Sequence, residues 1–459
     1  MGVFVCVKPM PFEFETIAAL ATPAGTSALA VLRVSGPLSS GLANVLFGSI
    51  TTPRMAHHAD YRNVGGTLVD DVVFTCFVGP NSYTGEDCLE ISCHGNPFVA
   101  QMILEDLFAR GCRPAEPGEF TKRAFLHGRM DLSRAEAVMD LIHARSERAL
   151  AAANHQLRGA LARELDVLNA ILINILAFVE AYIDFPEEDL PPSDRQSLLI
   201  QMDSLLARTR SLHATKHYGA ILREGIITVI IGEPNVGKST LLNILAGHER
   251  ALVSAEPGTT RDYLEEPLLI GPHFLRLVDT AGLNASPSPL ERRGIAKSLE
   301  QAESADLFLW VLDATQPVPQ LSPRLTSLMT QANTIAVFNK IDLNSAESAT
   351  PPTAFMSGRI SAIQGTGLDE LKIKIINLVE SFRSEQDSDL IAISARHAHL
   401  LTSIEISLQL ARVRLANEGP DELLACDLRS ALRLFGGISG KIIDDEVLEQ
   451  IFASFCIGK

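Results

Sequence analysis

The sequence predicts a multidomain α/β protein: an amino-terminal α+β domain, a helical domain, and a parallel-rich α/β domain inserted between two parts of the helices. Three observations carry this. The 459 residues exceed what one ordinary core organises and point to roughly two to four domains. The texture of the chain changes near Phe120, from short apolar bursts broken by Gly and Pro to long stretches with few of either. From Ile226 onward, buried strand runs alternate with helical intervals, the mark of a parallel sheet wound on both faces.

From Thr16 to Leu107 the bursts IAALAT, ALAVLRVSG, VVFTCFVG and CLEISCHG read as short strands between turn signals, giving an α+β domain over 1–119. In RAEAVMDLIHARSERALAAANHQLRGALARELDVLNAILINILAFVEAYI apolar residues recur at three-and-four spacing, so 120–222 is a first helical part, broken near Phe185-Pro186 and Pro191-Pro192. IITVIIG, FLRLVD, LFLWVLD, TIAVFNK and GRISA are the expected strands of the α/β domain, 223–382. SIEISLQLARVRL and DLRSALRLF return to helix in a second part, 383–459, ending in FCIGK. No internal repeat is visible.

Composition narrows the class. Hydrophobic residues at 46% and charged residues at 20% are those of a globular chain. A net charge of -16 argues against coating nucleic acid through bulk electrostatics, and Lys122, Arg123, Arg129 and Arg134 form the one compact basic stretch. Seven cysteines, an odd number with no C-x-x-C pair, indicate a reducing compartment without structural zinc. The apolar stretch 168–185 carries Asn169, Asn174, Glu180 and Asp184. A membrane span wants ~20 apolar residues with few charges, so a packed helix and no membrane are expected. With no signal or transit pattern at the start, the expected location is cytoplasmic, with Met1 or Met10 as initiator. Cys456 lies where a prenyl transferase would look, but Gly458 and Lys459 do not suit a C-a-a-X box.

The inserted domain carries the chemistry. GEPNVGKS, Gly232 to Ser239, is G-x-x-x-x-G-K-S after a strand: its backbone N–H groups turn toward phosphate oxygens, Lys238 supplies charge, and Ser239 can ligate Mg²⁺. In VDTAG, Asp279 can hold Mg²⁺ through water and Gly282 can donate its N–H to the γ-phosphate; Thr259 and Thr260 of GTTRD sit in a loop able to close on metal and phosphate. NKID selects the base, since Asp342 can accept two hydrogen bonds from guanine while Asn339 braces the loop. Adenine would leave that carboxylate unpaired. In SAIQG the N–H of Ala362 is the expected partner of the guanine carbonyl. GTP is therefore the expected nucleotide. Leu283 follows the DTAG string where Ras-like enzymes place a water-orienting Gln, so hydrolysis needs another device.

These strings, with TIAALATPAG, VLRVSGP, NSYTGEDCLEISCHG, PGEFTKRAFLHGRMDLSRAEAV, VEAYIDFPEED, ELLACDLRSAL and IFASFCIGK, resemble the tRNA-modification GTPase family MnmE, also called TrmE, over nearly the whole chain. PGEFTKRAF and FCIGK are specific to that family, whereas a P-loop is widely shared. The resemblance implies a Ras-like P-loop GTPase as the inserted domain. Its GTP-binding positions fall on Asn235, Val236, Gly237, Lys238, Ser239 and Thr240, on Ser254, Ala255, Glu256, Pro257, Gly258, Thr259 and Thr260, and on Asp279, Thr280, Ala281 and Gly282. Asn339, Lys340, Asp342, Ser361 and Ala362 complete them on the base side. The metal ligands implied are Ser239 and Thr260 for Mg²⁺, and Asn235, Ser254, Glu256 and Thr259 for a K⁺ that acts where other systems insert an arginine finger. Glu291 matches the family's catalytic Glu, which orients the attacking water.

The resemblance also implies a homodimer whose amino-terminal domain binds 5,10-methylene- or 5-formyl-tetrahydrofolate, with Arg33, Glu90, Arg129 and Lys459 on the folate positions. It implies a flavoprotein partner of the MnmG (GidA) type, bringing FAD and NADH into a heterotetramer or larger complex. Together they add a (carboxymethyl)aminomethyl group to C5 of the wobble uridine, position 34, of certain tRNAs. Two departures stand out: PAGTSAL at 23–29 replaces a usual PPGRGG, and Arg129 replaces a usual Lys. Cys456 is left with two readings, a thiol in the chemistry or a small buried residue holding the last helix. A rival function, a GTP switch in ribosome assembly, calls for a basic RNA-binding module such as a KH domain, which the sequence lacks.

Overall fold

The computed structural model describes residues 15–48, 52–184, 192–248, 265–279, 302–343, 355–382, 391–417 and 419–459. The chain falls into two compact units, 1–139 with 433–459, and 140–432.

The first unit is built on a six-stranded sheet in the order β3-β4-β5-β2-β1-β6: β1 Ile17–Leu20, β2 Leu29–Ser35, β3 Ala56–Arg62, β4 Leu68–Phe77, β5 Cys88–His94 and β6 Arg113–Pro114. All pairs are antiparallel except β1 with β6. Alternation decides the faces. Leu32, Val34, Leu89, Ile91 and Phe74 point inward and join Leu42 of α1 (Ser39–Phe47) and Ile103 and Leu107 of α2 (Pro97–Ala109) in the core. Arg33 and Glu90 are therefore directed to the other face, where they sit opposite each other in register. Part of that face is closed by Ile17, Ala19 and Phe120 with Tyr83, Phe120 lying in α3, Glu119–Leu126.

Leu132 and Met139, from α4 (Leu132–His143), pack with Leu448, Phe452 and Phe455 around the carboxyl-terminal helix Asp445–Ala453. This packing places 120–139 and 433–459 with the amino-terminal sheet. By compactness the chain divides at 139/140 and 432/433.

In the second unit, α5 (Glu147–Leu157), α6 (Ala160–Asp184), α7 (Pro192–Ala214), α8 (Lys216–Glu224) and the helix Ala395–Ala416 are the long helices expected. By length and composition α6 could cross a membrane. Its Leu161, Leu165, Leu168, Leu172, Ile175 and Val179 recur on one buried face, and Glu164 and Glu180 pair with Arg208 and Arg429.

The other sheet runs β12-β11-β10-β7-β9-β8, with β7 Ile226–Ile231, β8 Glu265–Ile270, β9 His273–Asp279, β10 Leu307–Asp313, β11 Thr334–Asn339 and β12 Met356–Arg359. Every pair is parallel except β8 with β9. Apolar clusters cover both faces, which is why β7, β10 and β11 read as continuous apolar runs. The last strand differs from the expected GRISA: it ends at Arg359, because Ser361 turns to bridge Thr366. Arg223, just before β7, binds Asp140 at 2.9 Å and donates to the carbonyls of Ile393 (2.7 Å) and Ala392 (3.3 Å). It thereby ties the first connection of the inserted domain to the second.

Candidate functional site

Two groups of the expected residues assemble, one in each unit. In the second, β7 runs into the loop before α9, Lys238–His248. Lys238 Nζ lies over that loop, donating to the carbonyls of Gly232 at 2.9 Å and Glu233 at 2.8 Å. Asn235 is exposed with φ +63°, a left-handed conformation that Asn tolerates better than most residues. Val236 is buried and anchors the loop. Gly237 is required: its φ is +99°, and a Cβ there would meet Asn339 Nδ2 at 2.2 Å. Ser239 and Thr240 are exposed in the first turn of α9, where unpaired N–H groups attract anions.

Asn339, at the end of β11, is 3% exposed. Its Nδ2 donates to the Val236 carbonyl at 2.8 Å, and its Oδ1 accepts from the Ala362 N–H at 2.9 Å. One side chain thus joins the P-loop, the NKID turn and the SAIQG turn. It also changes one expectation, because the Ala362 N–H assigned to the guanine carbonyl is engaged by Asn339. The adjacent Ile363 amide makes no hydrogen bond among the described residues and its residue is 81% exposed. Ser361 is fully buried, and its Oγ accepts from the Gln364 N–H. Asp342 is half-buried in a turn closed by the Leu343 N–H on the Lys340 carbonyl at 3.2 Å.

Asp279 closes β9. Ser254, Ala255, Glu256, Pro257, Gly258, Thr259, Thr260, Thr280, Ala281, Gly282 and Glu291 lie outside the described residues.

The second group is in the first unit. Arg33 Nε and Nη2 reach Glu90 Oε1 at 2.9 and 2.8 Å, and Nη1 donates to the Gly458 carbonyl at 3.3 Å. The guanidinium lies over the rings of Tyr83 (5.2 Å) and Phe120 (5.7 Å), two partners the sequence reading missed. The string NSYTGED gives little warning of this, since the contact depends on how 81–87 folds back over the sheet. The tail is held from its other side by the Gly118 N–H on the Cys456 carbonyl at 3.3 Å. Lys459 is partly buried, and its ammonium is held below the usual lysine range, first by burial and then by Arg33, against the pull of Glu90 and Cys456. Two cations close to one another suit an anionic ligand. Arg129 is exposed beside Gly85, and no ion pair joins it to this group among the described residues.

Cys456 is exposed, which removes the reading of a buried thiol holding the last helix. The basic stretch also changes. Arg123 is 1% exposed, bound to Glu86 at 3.0 Å and Glu119 at 2.8 Å, and Arg134 pairs with Asp131. A buried, neutralised Arg123 offers nothing to a phosphate backbone.

Comparison with known proteins places two family models on the chain. A family model described as "GTP-binding protein TrmE N-terminus" matches residues 16–129, and one described as "MnmE helical domain" matches 132–456. The tRNA modification GTPase MnmE of Opitutus terrae is 53% identical over 452 residues, covering 98% of this chain and 100% of its own. That of Akkermansia muciniphila is 43% identical, covering 97% and 99%. That of Chlorobium chlorochromatii is 40% identical, covering 98% and 99%. Among solved structures, the G domain of the T. maritima FeoB iron transporter is 23% identical, covers 33% of this chain and 98% of its own, and has a TM-score of 0.24.

Proposed function

The chain belongs to the MnmE (TrmE) family and is a GTP hydrolase of tRNA modification; from that premise we propose a K⁺-stimulated, Mg²⁺-dependent enzyme that modifies wobble uridine with a flavoprotein partner. The partner is of the MnmG (GidA) type and supplies FAD and NADH. The product is a (carboxymethyl)aminomethyl group on C5 of uridine 34, its carbon drawn from a tetrahydrofolate donor. The chain acts as a cytoplasmic homodimer.

When bound, Mg²⁺ and K⁺ supply positive charge beside the β- and γ-phosphate oxygens. Ser239 and Thr260 are the residues to hold the first; Asn235, Ser254, Glu256 and Thr259 are those to hold the second. An exposed Asn235 already in a left-handed turn fits that task. Lys238 neutralises charge on the same oxygens, and Asp342 selects guanine. Glu291 orients the attacking water, the role that Leu283 cannot fill.

The observation that supports the folate reading best is the return of the tail to Arg33, 425 residues away in the chain. Arg33 and Lys459 provide cations for the donor's glutamate carboxylates, Arg129 stands at the exposed margin, and Glu90 can grip a donor pair of the pterin. An exposed Cys456 beside Lys459 fits a thiol that takes part in the chemistry.

The test is mass spectrometry of nucleosides from bulk tRNA in cells with and without this gene. Deletion should remove the 5-substituted wobble uridines, the intact gene should restore them, and a Cys456→Ser copy should not. Unchanged nucleosides on deletion would overturn the substrate; full restoration by Cys456→Ser would remove the thiol from the chemistry.

A further inference from the structure

We propose that Asp313 is a positioning residue for guanine selection, acting through Lys340 to fix the turn that carries Asp342. The proposal rests on the assignment of Asp342 to guanine above.

The geometry begins on the sheet. Asp313 ends β10 directly opposite Asn339 at the end of β11, and the Ala314 N–H donates to the Asn339 carbonyl at 2.9 Å. Its side chain is 8% exposed. Oδ1 accepts from the N–H and hydroxyl of Thr315 at 2.9 and 2.7 Å, so the carboxylate cannot rotate freely. Oδ2 meets Lys340 Nζ at 2.7 Å. Burial alone would raise the carboxyl's pKa, but Lys340 and Thr315 hold it below the usual range, so the pair is ionic.

Lys340 needs such a hold. Its φ is +68°, a conformation that residues with a side chain adopt only where their surroundings impose it. The backbone beyond it is pinned by Ile341 N–H on the Ile360 carbonyl and by Leu343 N–H on the Lys340 carbonyl. Asp342 sits between these two bonds, and its carboxylate makes no hydrogen bond among the described residues. Its direction is therefore set by the turn, and the turn starts at the residue that Asp313 grips.

The experiment uses the full chain with Asp313→Asn, which keeps the size and an acceptor for Thr315 but loses the charge. Dissociation constants for GTP and ITP are measured by competition with a fluorescent GDP analogue. ITP lacks the exocyclic amine and so donates one hydrogen bond fewer to Asp342. A misdirected Asp342 should weaken GTP by about tenfold and ITP by less than about threefold, with kcat at saturating GTP within about twofold. Lys340→Met should reproduce the loss of discrimination, and the double variant should add nothing to either single one. Equal losses for GTP and ITP, unchanged discrimination, or additive effects would each overturn the proposal. If Asp313→Asn fails to fold, Asp313→Glu, which keeps the charge at this buried site but displaces the carboxylate by one methylene, decides it by the same comparison of GTP with ITP. Asp342→Asn separates the two levels. A shift toward xanthosine nucleotides there, with silent Asp313→Asn, removes only the positioning role; no shift removes the guanine assignment beneath it.

Discussion

The guanine corner and the tail pocket are both loops fastened by a few polar side chains, yet they are balanced differently. At the guanine corner Asn339 is spent on two backbone groups and Asp313 is matched by Lys340, so every charge among the fasteners is neutralised. In the tail pocket Arg33 pairs with Glu90, while the Lys459 ammonium lies in the field of both and makes no ion pair among the described residues. The first arrangement is preorganised and indifferent to its solvent. The second leaves the Lys459 ammonium without an ion pair among the described residues and should respond to anions, to pH and to small changes in the tail.

The sharpest way to test what supports the tail pocket is Arg123→Met. Arg123 holds Glu86 at the end of the loop that places Tyr83 over Arg33, and it also binds Glu119 and the Glu15 carbonyl. Removing one partner of a buried ion pair costs about 3–5 kcal/mol. The lower end is expected here, because Glu86 keeps Ser35 and Glu119 keeps Arg113. Denaturant unfolding of the full chain, followed by a probe in the first unit, should show a loss of about 3 kcal/mol. A loss below about 1 kcal/mol, the range of an exposed pair, would mean that the cluster does not support the loop.

What was legible in the sequence follows the same division. The nucleotide corner is written in contiguous strings, because a P-loop or an NKID turn needs neighbouring residues to bend one backbone segment. The parallel sheet was legible because strands covered on both faces leave unbroken apolar runs such as LFLWVLD. Asp313 was overlooked at the end of that same run, since its partner appears only when β10 and β11 are laid in register. The tail pocket depends on register too: Arg33 faces Glu90 because β2 pairs with β5, and nothing local to VLRVSG announces it. Arg123 was misread as part of a basic surface, because a sequence shows charge but not burial. The edge strand β8 carried no alternating or continuous apolar signal of its own and was not anticipated.

A smaller perturbation addresses the tail directly. Gly458 has φ +92°, and a Cβ there would lie 2.5 Å from the Leu20 carbonyl oxygen and 2.9 Å from Ala21 Cα, both backbone atoms that cannot step aside cheaply. Gly458→Ala should therefore undock the tail, shifting its docking equilibrium by about 1–2 kcal/mol, or roughly tenfold. Carboxypeptidase B removes a terminal lysine only from an undocked tail, so its rate reports that equilibrium. Relative to a free peptide with the same substitution, release of Lys459 should speed up by about tenfold. An unchanged relative rate would mean that the tail does not rest on β1 as described.

The smallest expected effect is the most specific to the Lys459 ammonium. Lys459 is held below its ordinary range by burial and then by Arg33, while Glu90 and Cys456 act in the opposite direction. A docked lysine with a lowered pKa binds fewer protons than the same lysine undocked, over the window from its lowered value up to the ordinary one near 10.4. Raising the pH through that window must favour docking; lowering it must favour release. The measurement is made in a Cys456→Ser background, which leaves Lys459 without a neighbouring thiol, with carboxypeptidase B rates normalised to the matching free peptide. Protection of the terminal residue should rise as the pH is taken from neutral toward that window. It should stay flat when Lys459→Arg supplies a cation that does not titrate there. Equal slopes in the two proteins would show that the lysine charge is already compensated in the docked tail, and the contrast with the guanine corner would vanish.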